Sequence, residues 1–74
     1  MTYGVVLFHT TSSAMRAEKL LIREGYAIKL IPTPREFSSD CGIAVRFDWS
    51  QQQQIKSVLE TEGVEVDTIR QMTN

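Results

Sequence analysis

This 74-residue chain holds only one cysteine, one histidine and two prolines. A single cysteine excludes an internal disulfide framework, an internal dithiol redox pair and a Cys-rich zinc site. One histidine and one cysteine do not close a metal site by themselves. There is no Gly-rich phosphate loop and no paired-carboxylate signature. Excess charge is also missing, since 8 Lys+Arg against 9 Asp+Glu leave a formal net charge of −1. Without a strong basic field, nucleic-acid binding through phosphate neutralisation is not expected. Residues 1–8 lack a basic segment and give way to polar residues at His9. That run is too short for a signal peptide or a membrane span, so the expected partners include no membrane and the expected location is cytoplasmic.

Hydrophobic residues make up 42% of the chain and charged residues 23%, a balance that suits a folded domain rather than a disordered one. The length sets an expectation of one small domain over 1–74, with a modest core. A strand is predicted over 3–8, an apolar run rich in β-formers. The hydroxyl cluster Thr10 to Ser13 then offers caps for a helix predicted over 13–24. Ala14, Ala17, Leu20 and Leu21 form its core stripe, widened by Met15 and Ile22, and Gly25 ends it. A second strand is predicted over 26–31, stopped by Pro32 and Pro34.

A polar loop over 32–41 follows, and a third strand over 42–47 alternates Ile43, Val45 and Phe47 with Ala44 and Arg46. Asp48 or Ser50 caps a second helix over 50–62, with Ile55, Val58 and Leu59 inward and Gly63 at its end. A polar final strand over 64–70 reads as an edge, and 71–74 as a frayed tail. The order β-α-β-β-α-β predicts an α+β, ferredoxin-like βαββαβ sandwich, with a four-stranded antiparallel sheet and two helices on one face.

That topology brings the end of the first strand, the 32–41 loop and the start of the first helix to one end of the sheet. Cys41 therefore belongs near Thr10 to Ser13. A lone cysteine is commonly a small buried hydrophobe. Here Ser38, Ser39 and Asp40 precede Cys41 and Gly42 follows it, so a turn is expected, with the thiol accessible. A helix N-terminus and Arg35 beside the sulfur would favour the nucleophilic thiolate, and Asp40 would oppose them. Arg35 has a second reading as a solvated partner of Glu36 or Asp40. Gly42 permits close approach of a ligand, or a tight turn. Ser12 and Ser13 read as caps whose N–H groups also bind anions. Phe37 is expected to pin the loop to the sheet. His9 reads as a surface group, with a Cys–His pair as the alternative, and Trp49 as packing.

The run Pro32-Thr33-Pro34-Arg35-Glu36-Phe37-Ser38-Ser39-Asp40-Cys41-Gly42 resembles the signature of a small bacterial family of selenium/sulfur-carrier-like proteins. The segment from Phe8 through Ala14-Met15 and Glu18-Lys19 to Leu20-Leu21 is also similar to that family's opening. The likeness spans roughly residues 3–70, and Pro-x-Pro-Arg…Ser-Ser-x-Cys-Gly is its specific part. It implies a carrier more than a stand-alone enzyme, holding a persulfide or a selenium adduct on Cys41, with Arg35, Ser38, Ser39 and Gly42 as motif neighbours. A donor enzyme, such as a cysteine desulfurase or a selenocysteine lyase, and an acceptor protein are the implied partners, with no cofactor. Members of that family carry a histidine just before the alanine that matches Ala14. This chain has Ser12 and Ser13 there, so no histidine role carries over.

Two other classes compete with the carrier. One is a non-catalytic protein-interaction or regulatory module using the 32–41 loop and the sheet face. The other is RNA binding, which this fold supports through aromatics on the central strands, where this chain has Ile43, Ala44, Val45 and Arg46. A homodimer through the sheet face or an edge strand is a further expectation for so small a core.

Overall fold

A computed structural model of the protein describes residues 2–72. Its elements run β1 (Tyr3–Leu7), α1 (Thr11–Arg23), β2 (Lys29–Pro32), β3 (Ile43–Asp48), a 3-10 turn (Trp49–Gln51), α2 (Gln52–Thr61) and β4 (Thr68–Gln71). The strands form one antiparallel sheet in the order β2-β3-β1-β4. This is the α+β, ferredoxin-like arrangement expected from the element order. Among the described residues no helix is long and apolar enough to cross a membrane.

Strand alternation assigns the two faces. Val6, Phe8, Val45 and Phe47 point to the helices, where Ala14, Ala17, Leu20 and Leu21 of α1 and Ile55 and Leu59 of α2 complete the main core. Val5, Leu7 and Ala44 point the other way and are covered by Ile31, Phe37 and Met72. Phe37 thus pins the long loop to the sheet, as its sequence setting suggested. Met15 and Ile22 do not widen the buried stripe and are 42% and 58% exposed. Each sits one residue past a buried position, about 100° further round the helix.

β2 and β4 are shorter than the apolar runs because each helix takes the first residues after it. Gly25 (φ 91°) and Gly63 (φ 69°) adopt the left-handed conformation just past the two helices. Gly25 N–H donates to Ile22 O and Tyr26 N–H to Leu21 O; Gly63 N–H donates to Glu60 O and Val64 N–H to Leu59 O. These are two copies of the Schellman closure, in which the residue after the glycine also makes an apolar contact back onto the helix. Tyr26 and Val64 are therefore tied to helix ends, and β2 and β4 begin three and four residues after them, at Lys29 and Thr68. Pro32 does not stop the strand from outside but is its last residue, paired with Ile43. It is tolerated because β2 is an edge strand.

At the other helix ends, Thr10 rather than Ser12 or Ser13 is the N-cap of α1, and its Oγ1 accepts from Ser13 N–H at 3.2 Å. Thr10→Ala should lower stability by about 1 kcal/mol, read as a shift in the urea midpoint. Asp48 caps the 3-10 turn and accepts from Ser50 N–H at 3.0 Å and Ser50 Oγ at 2.9 Å. The backbone bond first, and the hydroxyl bond after it, hold the Asp48 carboxyl below its ordinary value. Of the tail expected to fray, Gln71 ends β4 and Met72 N–H donates to Tyr3 O, while 73 and 74 lie outside the described residues.

Candidate functional site

The β2–β3 loop leaves the sheet at Pro32 and returns at Ile43, and hydrogen bonds clamp both of its ends. Thr33 N–H donates to Gly42 O at 3.0 Å, and Thr33 Oγ1 donates to Cys41 O at 2.8 Å. Phe37 N–H donates to Pro34 O at 3.0 Å and closes a turn at the tip. Ser39 anchors the loop to the end of β1: its hydroxyl donates to Phe8 O at 2.7 Å and accepts from Cys41 N–H at 3.3 Å. One serine thus fixes the backbone on which the cysteine sits relative to the central strand.

That anchoring turns Cys41 inward. The thiol expected to face solvent is only 3% exposed and belongs to the main core with Phe8, Ala14 and Val45. The cause is chain geometry, since the peptide just before β3 is held under the first turn of α1. Thr11, the first residue of that helix, places Oγ1 3.8 Å from Cys41 Sγ. Thr11 is itself exposed, so one side chain lies between that flank of the sulfur and water. The juxtaposition of the loop with the start of α1, expected from topology, is present.

The other site residues divide. Ser39 is structural to the site, as described. Ser13 is engaged with the cap, with Thr10 Oγ1 also 3.1 Å from its hydroxyl, and Ser12 faces outward beside Met15 and Arg16. Ser38, Asp40, His9 and Arg35 are exposed. Among the described residues Arg35 makes no ion pair, neither with Glu36 or Asp40 nor with any other group. Gly42 is exposed and its φ is not positive, and a Cβ there would meet nothing within 4 Å. The chain bends at Cys41 and Gly42 with no left-handed backbone, so the bend does not require glycine.

Sequence reasoning gave no individual role to Thr11 or Thr33, although both bond the cysteine. Thr33 was masked by the flanking prolines. Thr11 was present only as one of four adjacent hydroxyls, and the register of the helix start decides among them. Among the described residues no group of three or more His, Cys, Asp or Glu side chains is placed to hold a metal. A groove of about 480 Å³ between α2 and β4 is lined by Leu59, Val64 and Val66 with Lys56, Glu60 and Asp67, and does not include Cys41.

The uncharacterized protein MJ0011 of Methanocaldococcus jannaschii is 33% identical to this chain over 61 residues, 82% of this chain. The chain spans only 30% of that relative's length. No solved structure matches this chain. A family described as "Putative Se/S carrier protein-like" matches residues 3–71, so the loop that seats Cys41, the helix that covers it and the sheet beneath all fall within the match, and the chain belongs to that family.

Proposed function

We propose that the protein carries sulfur or selenium on Cys41 between a donor enzyme and an acceptor protein. Membership of the selenium/sulfur-carrier-like family supports the class. The single structural observation that supports the atom is the Cys41 sulfur at 3.8 Å from Thr11 Oγ1, beneath the first turn of α1. A thiolate at Cys41 attacks the outer sulfur of a donor persulfide. The new S–S bond forms on Cys41, the donor S–S bond breaks, and the donor leaves as its thiolate. The oxidation level is conserved overall, because the sulfane sulfur moves without a change of electron count. Transfer to an acceptor thiolate repeats the exchange in reverse. A selenium adduct follows the same displacement.

Burial gives this reading a definite mechanical requirement. Thr11 and the loop anchored by Ser39 must part before a donor persulfide reaches the sulfur. Burial also shields the adduct from other thiols between donor and acceptor, which suits a carrier.

The test is incubation of the native protein with a cysteine desulfurase and cysteine, followed by intact-mass analysis. The expected product is one added sulfur that maps to Cys41, is removed by reductant and is absent from Cys41→Ala, with the fold of the variant checked by circular dichroism. An adduct that forms only in denaturant would overturn the assignment. So would a selenocysteine lyase with selenocysteine and the desulfurase both leaving the folded protein unmodified.

A further inference from the structure

The face of the sheet opposite the helices carries a charge pattern that the sulfur chemistry does not use. Lys29 pairs with Arg46, Arg46 with Val5, and Val5 with Arg70, so these residues form one row across all four strands. Strand alternation puts the row on the same face as Leu7, Ala44 and Ile31, away from Cys41. Three cations therefore lie within about 15 Å, the width of three interstrand spacings.

Aromatic rings rather than carboxylates hold the two guanidinium groups. The Arg46 guanidinium lies 4.2 Å from the centre of the Tyr3 ring, and that of Arg70 lies 5.4 Å from the centre of the Phe37 ring. The ion pairs found among the described residues involve only Arg23, with Glu24 and Glu62. The acid at the end of this face, Asp48, is held as a carboxylate by Ser50 and makes no ion pair with the row. A chain of net charge −1 thus keeps a row of three cations on one surface, none of them in an ion pair among the described residues.

We propose that this helix-free face docks an acidic segment of a partner protein. Guanidinium edges match carboxylates in geometry and charge, and a row of three cations suits a short run of Asp and Glu. The arrangement does not favour bases. Tyr3 and Phe37 each carry a guanidinium on the ring, and Val5 and Leu7 at the centre are 0% and 1% exposed. No open aromatic platform is left for stacking. The inference is independent of persulfide loading, because the two surfaces lie on opposite sides of the sheet.

Amide NMR of the folded chain, titrated with a short synthetic Glu/Asp-rich peptide, tests it. Shifts are expected on residues 3–7, 29–31, 44–46 and 68–70 and not on α1 or α2. Binding should weaken with salt, and roughly tenfold or more in the double variant Lys29→Glu, Arg70→Glu, whose sites are exposed. Each of these results overturns the proposal: no peptide shifts, shifts spread over the helices, unchanged binding by the folded double variant, or an oligouridylate that binds this face more tightly than the peptide. Concentration-dependent shifts on the same residues without a probe would assign the face to a second copy instead.

Discussion

Phe8→Ala is expected to destabilise the protein by about 3–5 kcal/mol, among the largest losses from a single truncation in this core. At roughly 0.05–0.15 kcal/mol per residue, a domain of this size has a total stability of about 4–11 kcal/mol, so the loss is a large share of the whole. Phe8 is fully buried in the main core, in the same cluster as Ala14, Leu21 and Cys41. Its carbonyl accepts the Ser39 hydroxyl, so the residue whose side chain fills the core also fastens the loop that bears the cysteine. Removing the ring opens a void in the cluster that holds Cys41 while leaving the backbone acceptor in place. Phe8→Leu, which keeps most of the volume, should lose less than half as much. Urea unfolding followed by Trp49 fluorescence measures both; a loss below about 1 kcal/mol for Phe8→Ala would show that the core collapses around the site.

Much of this architecture was legible in the chain, because hydrophobic period and helix-stopping glycines act locally. The element order, the inward stripe Ala14, Ala17, Leu20 and Leu21, and the helix ends at Gly25 and Gly63 all follow from such short-range patterns. The starts of β2 and β4 were not legible. Tyr26 to Ile28 and Val64 to Val66 read as strand by composition, but helix closure competes for the same residues and wins at Tyr26 and Val64. The exposure of Cys41 was misread for a related reason. The polar neighbours Ser38, Ser39 and Asp40 suggested an open turn, yet Ser39 spends its hydroxyl on Phe8 O and thereby draws the next residues inward. A side chain that bonds a distant backbone group leaves no periodic trace in a sequence. The row Lys29, Arg46, Arg70 was equally hidden, since its members come from three strands and meet only once the register is set.

Gly4→Ala should cost about 1–3 kcal/mol, against the usual direction of that exchange. Where a glycine has ordinary backbone angles, alanine tends to add about 0.4–1 kcal/mol by restricting the unfolded chain. Gly4 has no positive φ, so conformation alone predicts a gain. Packing reverses the sign. Gly4 faces Phe47 across the β1–β3 ladder, and a Cβ there would lie 2.6 Å from Phe47 Cζ and 2.5 Å from Trp49 Cε3. The two rings stack with centroids 6.0 Å apart and planes 25° from parallel, so displacing one presses on the other. Phe47 is 1% exposed and has little free volume to move into, whereas the half-buried Trp49 can yield toward solvent. The clash should therefore be partly relieved by shrinking Trp49. In a double-mutant cycle with Trp49→Leu, the combined loss should fall short of the sum of the single losses. Because the cycle removes the fluorophore, thermal unfolding by circular dichroism is the suitable measurement. A neutral or stabilising Gly4→Ala would mean that the close approach of the two rings to the β1 backbone is not a packing constraint at all.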